Sequence, residues 1–171
     1  MITLPLISQI TIRHVTRQDL SALEWDGEYT HFRRLFAEAY RQSELGQSIL
    51  CVAELPRLGV VGQLFVQTDS QNTRLADGRQ RAYIYGFRVR PPYRGMGIGS
   101  RMLKITEADL ARQGYRTVSL NVGRDNLAAR RMYERCGYRI VAPDPGVWSY
   151  LDHLGRYREV NEPAWRMEKK L

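Results

Sequence analysis

The chain has 171 residues, of which 43% are hydrophobic and 26% charged, a composition that excludes a disordered tail or a low-complexity scaffold. Its length suits a single domain over residues 1–171, and no apolar run approaches the ~20 residues of a membrane-spanning helix. The net charge is +8, and 23 of the 26 basic residues are arginine, which suits nucleic acid, a phosphorylated cofactor, or only genome composition and surface stability; the arginines are scattered and not clustered among stacking aromatics, so nucleic acid is not expected.

Residues 1–12 place no basic stretch ahead of their apolar residues, so no secretory leader is expected. Residues 9–15 (QITIRHV) alternate and predict a strand. Residues 16–19 (TRQD) resemble a capping box with Asp in place of Glu, so a helix is expected to open there. Thr30 is the expected cap of a second helix over residues 31–45, with Phe32, Leu35, Phe36 and Tyr40 on one face and Gly46 as its stop. Residues 49–55 and Gly59–Gln67 are apolar strands around a turn containing Pro56, hence a hairpin. Residues 69–79 are polar and read as a loop. Arg81–Val89 (RAYIYGFRV) is a strand, and Gly86 inside it signals a bulge or a close backbone approach.

A helix is expected over residues 100–113, with Met102, Leu103, Ile105 and Leu110 at helical spacing and Gly114 as its end. Residues 117–122 form a strand. Asp125 or Asn126 opens a further helix carrying Ala129, Met132, Tyr133 and Cys136 on one side, with Gly137 at its end. Residues 138–142 form a strand. Residues 147–151, a turn at 152–155 and a strand over 164–168 complete the chain. The order β-α-α-β-β-β-α-β-α-β-β reads as an α/β sheet that splits around a ligand. Cys51 and Cys136 offer no disulfide framework, and without CxxC spacing no metal site is expected; both read as buried thiols in a reducing cytoplasm.

The chemistry-bearing stretch is residues 90–99 (RPPYRGMGIG), which joins a strand to a helix. Glycines let consecutive N–H groups turn toward one point, and a helix N-terminus adds partial positive charge, so the arrangement suits a phosphate. A dinucleotide-binding fingerprint would need Gly where Ser100 stands and an acid in residues 117–122. A Walker A loop would need a lysine, which this loop lacks. A plain tight turn is the remaining alternative.

Arg94, Gly97 and Gly99 match the pattern Arg/Gln-x-x-Gly-x-Gly/Ala, and residues 126–138 (NLAARRMYERCGY) follow. Here the chain resembles the GCN5-related N-acetyltransferase (GNAT) superfamily, closely over residues 83–138. The resemblance implies a mixed, mostly antiparallel splayed sheet flanked by helices, and acetyl-CoA as cosubstrate. Main-chain groups of Phe87, Arg88 and Val89 would pair with the pantetheine amides, and an N–H near Val89 would polarise the thioester carbonyl. Amides of Arg94, Gly95, Met96, Gly97, Ile98, Gly99 and Ser100 would receive the diphosphate. Asn126 would contact the pantetheine arm and Tyr133 would protonate the departing thiolate. Asn126 also reads as a plain N-cap, Tyr133 as a core aromatic and Arg94 as a solvated cation.

The implied reaction is direct attack of a neutral primary amine in a ternary complex, so Cys51 and Cys136 are not expected as nucleophiles. Superfamily members that acetylate protein N-termini can carry a Glu five residues before the Asn; Asn121 stands there and cannot act as a base. Glu24, Asp26 and Glu28 border the expected acceptor site, and Tyr85 could hold a water. Glu28, Tyr85 and Asn121 are therefore the acceptor-side candidates, with solvated charge as the plain alternative for the acids. Residues 146–165 resemble the hairpin that walls the acceptor pocket or builds a dimer contact, so Trp148, Tyr150, Asp152 and Trp165 either touch substrate or pack the hairpin. The expected protein is a cytoplasmic N-acetyltransferase for a small molecule or a peptide N-terminus, with a homodimer as one assembly. A CoA-binding sensor of the same fold without turnover is the alternative.

Overall fold

A computed structural model describes residues 5–171; the first four residues of the leader reading lie outside it. Nine strands and three α-helices are present among the described residues, two strands more than the expected order and with a 3-10 segment in place of its first helix. Strand β1 is Thr11–His14. A 3-10 segment, Arg17–Gly27, follows, and the Asp19 carboxylate accepts both the Thr16 N–H (2.7 Å) and its hydroxyl (3.0 Å), which makes the expected capping contact on a tighter helix than foreseen. The segment ends in two left-handed non-glycine residues, Trp25 (φ 48°) and Asp26 (φ 57°). A 3-10 turn, Thr30–Phe32, precedes α1, Arg33–Glu44, so Phe32 and not Thr30 takes the N-cap position. Helix α1 buries Phe36 and Ala39, while Leu35, expected on the apolar face, is exposed.

Strands β2 (Ser48–Leu55) and β3 (Gly59–Gln67) form the expected hairpin, and β4 is Arg81–Val89. Helix α2 (Ile98–Arg112) buries Ile98, Met102, Leu103 and Leu110, and leaves Ile105 outside. Then come β5 (Thr117–Gly123), α3 (Leu127–Arg135) and β6 (Arg139–Asp144). Strands β7 (Val147–Leu151) and β8 (Tyr157–Asn161) pair as a separate hairpin before β9 (Ala164–Lys170). Strands β7 and β8 are the additions; the β8 sequence YREVN has no apolar alternation to announce it.

The main sheet has the order β1-β2-β3-β4-β5-β9-β6. Every neighbour pair is antiparallel except β4 with β5. That parallel pairing runs from Arg81↔Thr117 to Ile84↔Leu120 and stops, while β4 stays paired with β3 as far as Val89 and β5 with β9 as far as Gly123. The two strands therefore splay beyond Ile84, and the second half of β4 offers backbone groups to the gap.

Strand β4 also changes step at the splay. Its pairing jumps from Phe65↔Tyr85 to Gln63↔Arg88, which leaves one extra residue on β4. Gly86 sits there at φ +58°, with a Cβ position only 3.0 Å from Phe65 Cδ2, so the glycine permits the bulge. The extra residue reverses the alternation. Ala82, Ile84, Phe87 and Val89 face the core under α2 and α3, whereas Tyr85 and then Arg88 face the side covered by α1. No helix among the described residues is long and apolar enough to cross a membrane.

Candidate active site

The glycine loop enters α2 as a cradle of unspent donors. Gly95 (φ +75°) and Gly97 (φ +84°) hold left-handed backbone conformations, and nothing lies within 4 Å of a Cβ built at either. Gly97 occupies the N-cap position of α2. The N–H groups of Gly95, Met96, Gly97, Ile98, Gly99 and Ser100 find no acceptor among the described residues; the first bond past them is from Arg101 N–H to Gly97 O, at 3.1 Å. A fifteen-residue helix adds its dipole to these donors, so the cradle fits a diphosphate. Arg94 is exposed but not idle: its Nε donates to Val89 O at 2.7 Å and clips the loop to the end of β4.

Below the loop, α3 and β4 close on α2 at Gly99, where a Cβ would meet Met132 Sδ at 3.2 Å and Phe87 Cζ at 3.5 Å. Phe87 in turn lies 6.1 Å from the Tyr133 ring. Arg90 N–H bonds Val61 O at 2.8 Å, so by strand alternation the Val89 N–H points away from β3, into the splay. Tyr133 is buried, which raises its hydroxyl pKa above the usual phenol range, with help from neighbouring Cys136 and Tyr83. The hydroxyl has no hydrogen-bond partner among the described residues and keeps some access to solvent. It is a proton donor at neutral pH with nothing yet to donate to. Asn126 caps α3, accepting the Ala129 N–H at 3.2 Å through Oδ1, and its amide nitrogen stays exposed.

The opposite face of the sheet carries Tyr83, Tyr85, Arg88 and Asn121. The rings of Tyr83 and Tyr85 lie 6.3 Å apart in parallel, and burial pushes the Tyr85 hydroxyl up to about 12. Asn121 Oδ1 accepts from Arg166 Nε at 2.5 Å, and Arg166 Nη2 binds Asp144 at 2.6 Å. The Arg88 guanidinium sits 3.5 Å from the centroid of the Tyr29 ring, with Trp25, Phe32 and Phe36 around it. Hairpin β7–β8 closes over this cluster, Trp148 stacking on Phe32 at 6.0 Å and Tyr150 meeting it edge-on at 5.0 Å.

The acidic candidates separate clearly. Glu24 is held by Arg33 at 2.9 Å, which lowers its carboxyl below the usual range, and Asp26 pairs with Arg90 at 3.2 Å. Glu28 is exposed and forms no ion pair among the described residues. Asp152 is a turn residue: buried, bonded to Arg158 at 3.0 Å and to the N–H groups of Leu154 and Arg156. A groove of about 420 Å³ lined by Trp25, Glu28, Arg90 and Pro91–Tyr93 opens beside these residues. No cluster of His, Cys, Asp and Glu suited to a metal exists among the described residues.

Two functions of one site thus meet at the splay: a donor-rich cradle on one face and an aromatic, arginine-bearing chamber on the other. The structure brings the glycine loop, Phe87, Tyr133 and Asn126, all named from the sequence, to the helices and strand around the splay. Sequence reading missed the Trp25–Tyr29–Phe32 wall and Arg166, and it placed Arg88 by its backbone alone, although the side chain turns to the other face. Gly86 was the available signal for that turn.

The model of the Acetyltransferase (GNAT) family matches residues 17–138. Among curated proteins, the uncharacterized N-acetyltransferase YycN of Bacillus subtilis (strain 168) is 26% identical over 132 residues, covering 75% of this chain and 81% of that protein. Among solved structures, Ard1 from Thermoplasma volcanium superposes with a TM-score of 0.73 at 22% identity, covering 95% of this chain and 98% of the other. Arabidopsis thaliana Naa50, in complex with the bisubstrate analogue CoA-Ac-MVNAL, gives a TM-score of 0.69 at 19% identity over 95% of this chain and 99% of that one. At these identities the structural likeness is one of fold.

Proposed function

Because the chain belongs to the GNAT family of acetyltransferases, we propose that it works as one domain that moves an acetyl group from acetyl-CoA to a primary amine. The observation that carries the reading is the fan of six unpaired amides, Gly95 to Ser100, opening beside the splay of β4 and β5. Bound acetyl-CoA supplies a thioester carbonyl open to attack by an amine.

The chain's own groups account for the rest. The glycine-loop amides fix the diphosphate, and Phe87 to Val89 take the pantetheine along the free edge of β4. Asn126 guides that arm with its free amide nitrogen. The Val89 N–H, aimed into the gap, stabilises negative charge on the carbonyl oxygen. The chamber opposite orients the neutral amine. As the C–N bond forms and the C–S bond breaks, Tyr133 would pass its phenolic proton to the thiolate sulfur, the amine's own proton would leave to water, and water would return a proton to Tyr133. The raised pKa leaves the Tyr133 hydroxyl protonated throughout the neutral range.

Calorimetry with acetyl-CoA, followed by an amine screen read as free thiol, tests the reading. Micromolar binding and amine-dependent thiol release are expected. Binding without turnover across a broad amine panel would replace the enzyme by a CoA sensor, and absence of binding would remove the cofactor assignment altogether.

A further inference from the structure

Arg88 presents a paradox that the acetyl-transfer reading leaves open. Its Nε and Nη2 are buried and have no hydrogen-bond partner among the described residues. Stacking on Tyr29 at 3.5 Å stabilises the charge through the ring face, but leaves the N–H donors on Nε and Nη2 unmet. Buried donors are nearly always paired, and a buried cation without a counter-ion is costly. Gln63, its cross-strand partner, has one unpaired side-chain oxygen and could meet only one of the three N–H groups on Nε and Nη2. Burial lowers the Arg88 pKa, offset in part by the Tyr29 hydroxyl and by the charge of the exposed Glu28.

The other charges of the face are already matched: Arg166 by Asp144, Arg81 by Glu168 and Arg90 by Asp26. Among the described residues of the chamber, the Arg88 guanidinium thus stands among rings without an ion pair. A polyamine would meet repulsion there. A planar carboxylate would meet a planar fork of donors, the geometry to which guanidinium is suited. Ring contacts between Phe32 and the β7–β8 hairpin bridge the chamber's side, which favours a small acceptor over an extended peptide.

We propose that Arg88 is the acceptor-recognition residue, and that the acceptor is a small amino acid with an apolar body whose carboxylate pairs with the guanidinium while its amine faces the thioester. This rests on the acetyltransferase reading and deepens it. The Gly86 bulge is what makes it possible, since without the extra residue Arg88 would face the α2 core.

The test compares leucine, methionine and phenylalanine with their carboxamides, in the wild type and in Arg88→Met and Arg88→Lys. The carboxamides have the less basic amines, so without carboxylate recognition they should react faster. The wild type is expected to prefer the free acids by roughly 30-fold or more in kcat/KM, chiefly through KM. Arg88→Met should abolish that preference, and Arg88→Lys should restore part of it. Where turnover is too slow to measure, calorimetry of the N-acetyl amino acids against the CoA-loaded enzyme gives the same comparison. Equal use or binding of acid and carboxamide by the wild type, or an acid preference untouched in Arg88→Met, would overturn the assignment. Acetyl-CoA binding, measured separately on each protein, tells that failure from a failure of the underlying reading.

Discussion

Arg166 and Asn121 face each other across the β5–β9 pair, joined by a 2.5 Å hydrogen bond from the guanidinium to the amide oxygen. At this position an acid would be a base, but an amide already accepting a hydrogen bond has no such capacity. Glu24 and Asp26 are tied to arginines, and Glu28 is solvated. We therefore propose that the reaction depends on the fraction of acceptor that is already neutral.

The first prediction concerns that fraction. At pH 7 the neutral form costs about 4.6 kcal/mol for a lysine-type amine of pKa ~10.4 and about 1 kcal/mol for an α-amine of pKa ~7.8. Among acceptors that carry the same carboxylate, the less basic amines should react best. The rise of kcat/KM with pH should track the pKa of whichever amine is used. An inflection that stays fixed when the amine is changed would reveal a base on the protein.

Tyr133→Phe should lower kcat by roughly 100-fold, the usual scale of a positioned acid, with little change in acetyl-CoA affinity. Because the folded-state pKa lies above that of a free tyrosine, the proton is retained through the whole range below ~10, and kcat should not fall between pH 8 and 10. The same shift means that burial of the neutral ring stabilises the fold fully below the unfolded pKa and loses this contribution as pH climbs past it. Rapid-quench measurement of a single turnover isolates the chemical step. Unchanged turnover in the variant would remove Tyr133 from the reaction.

Gly97→Val should eliminate acetyl-CoA binding. The residue is left-handed at φ +84°, and the open space above it is where phosphate oxygens would approach. The backbone conformation alone should cost about 1–2 kcal/mol of stability with a β-carbon present. Calorimetry and thermal melts on the same sample separate the two effects; normal affinity would show that the diphosphate lies elsewhere.

Asp19 should govern acid stability of the N-terminal segment. Hydrogen bonding from Arg13, and then from Thr16, holds its carboxyl down to about 2. A lowered folded pKa stabilises above the unfolded value near 4 and loses that contribution as pH falls toward 2. Asp19→Asn should cost roughly 1 kcal/mol at neutral pH after allowance for solvent screening. Denaturation curves should show the gap between variant and parent closing over pH 4 to 2, and a constant gap would contradict the assignment.

Strands and helices with strong periodicity were legible: the β2–β3 hairpin matches its reading almost to the residue, as do α2 and α3. The 3-10 character of Arg17–Gly27 was not, because capping chemistry opens either helix type, and left-handed Trp25 and Asp26 have no local sequence mark beyond the glycine after them. The cradle was legible since glycine spacing reports backbone freedom directly. The chamber was not, since it joins Trp25, Arg88 and Trp148 through contacts between distant elements, and β8 hid behind exposed polar residues.

The bulge at Gly86 also has a bearing on how acceptor choice can diverge among related chains. One inserted residue puts the two halves of a single strand out of phase, so its late positions can be exchanged for acceptor selectivity while the neighbours proposed to contact the cosubstrate keep their direction. Losing that residue would rotate the outer part of the strand by half a pleat, presenting Phe87 to the acceptor and driving Arg88 into the apolar interior; selectivity and cofactor grip would fail together.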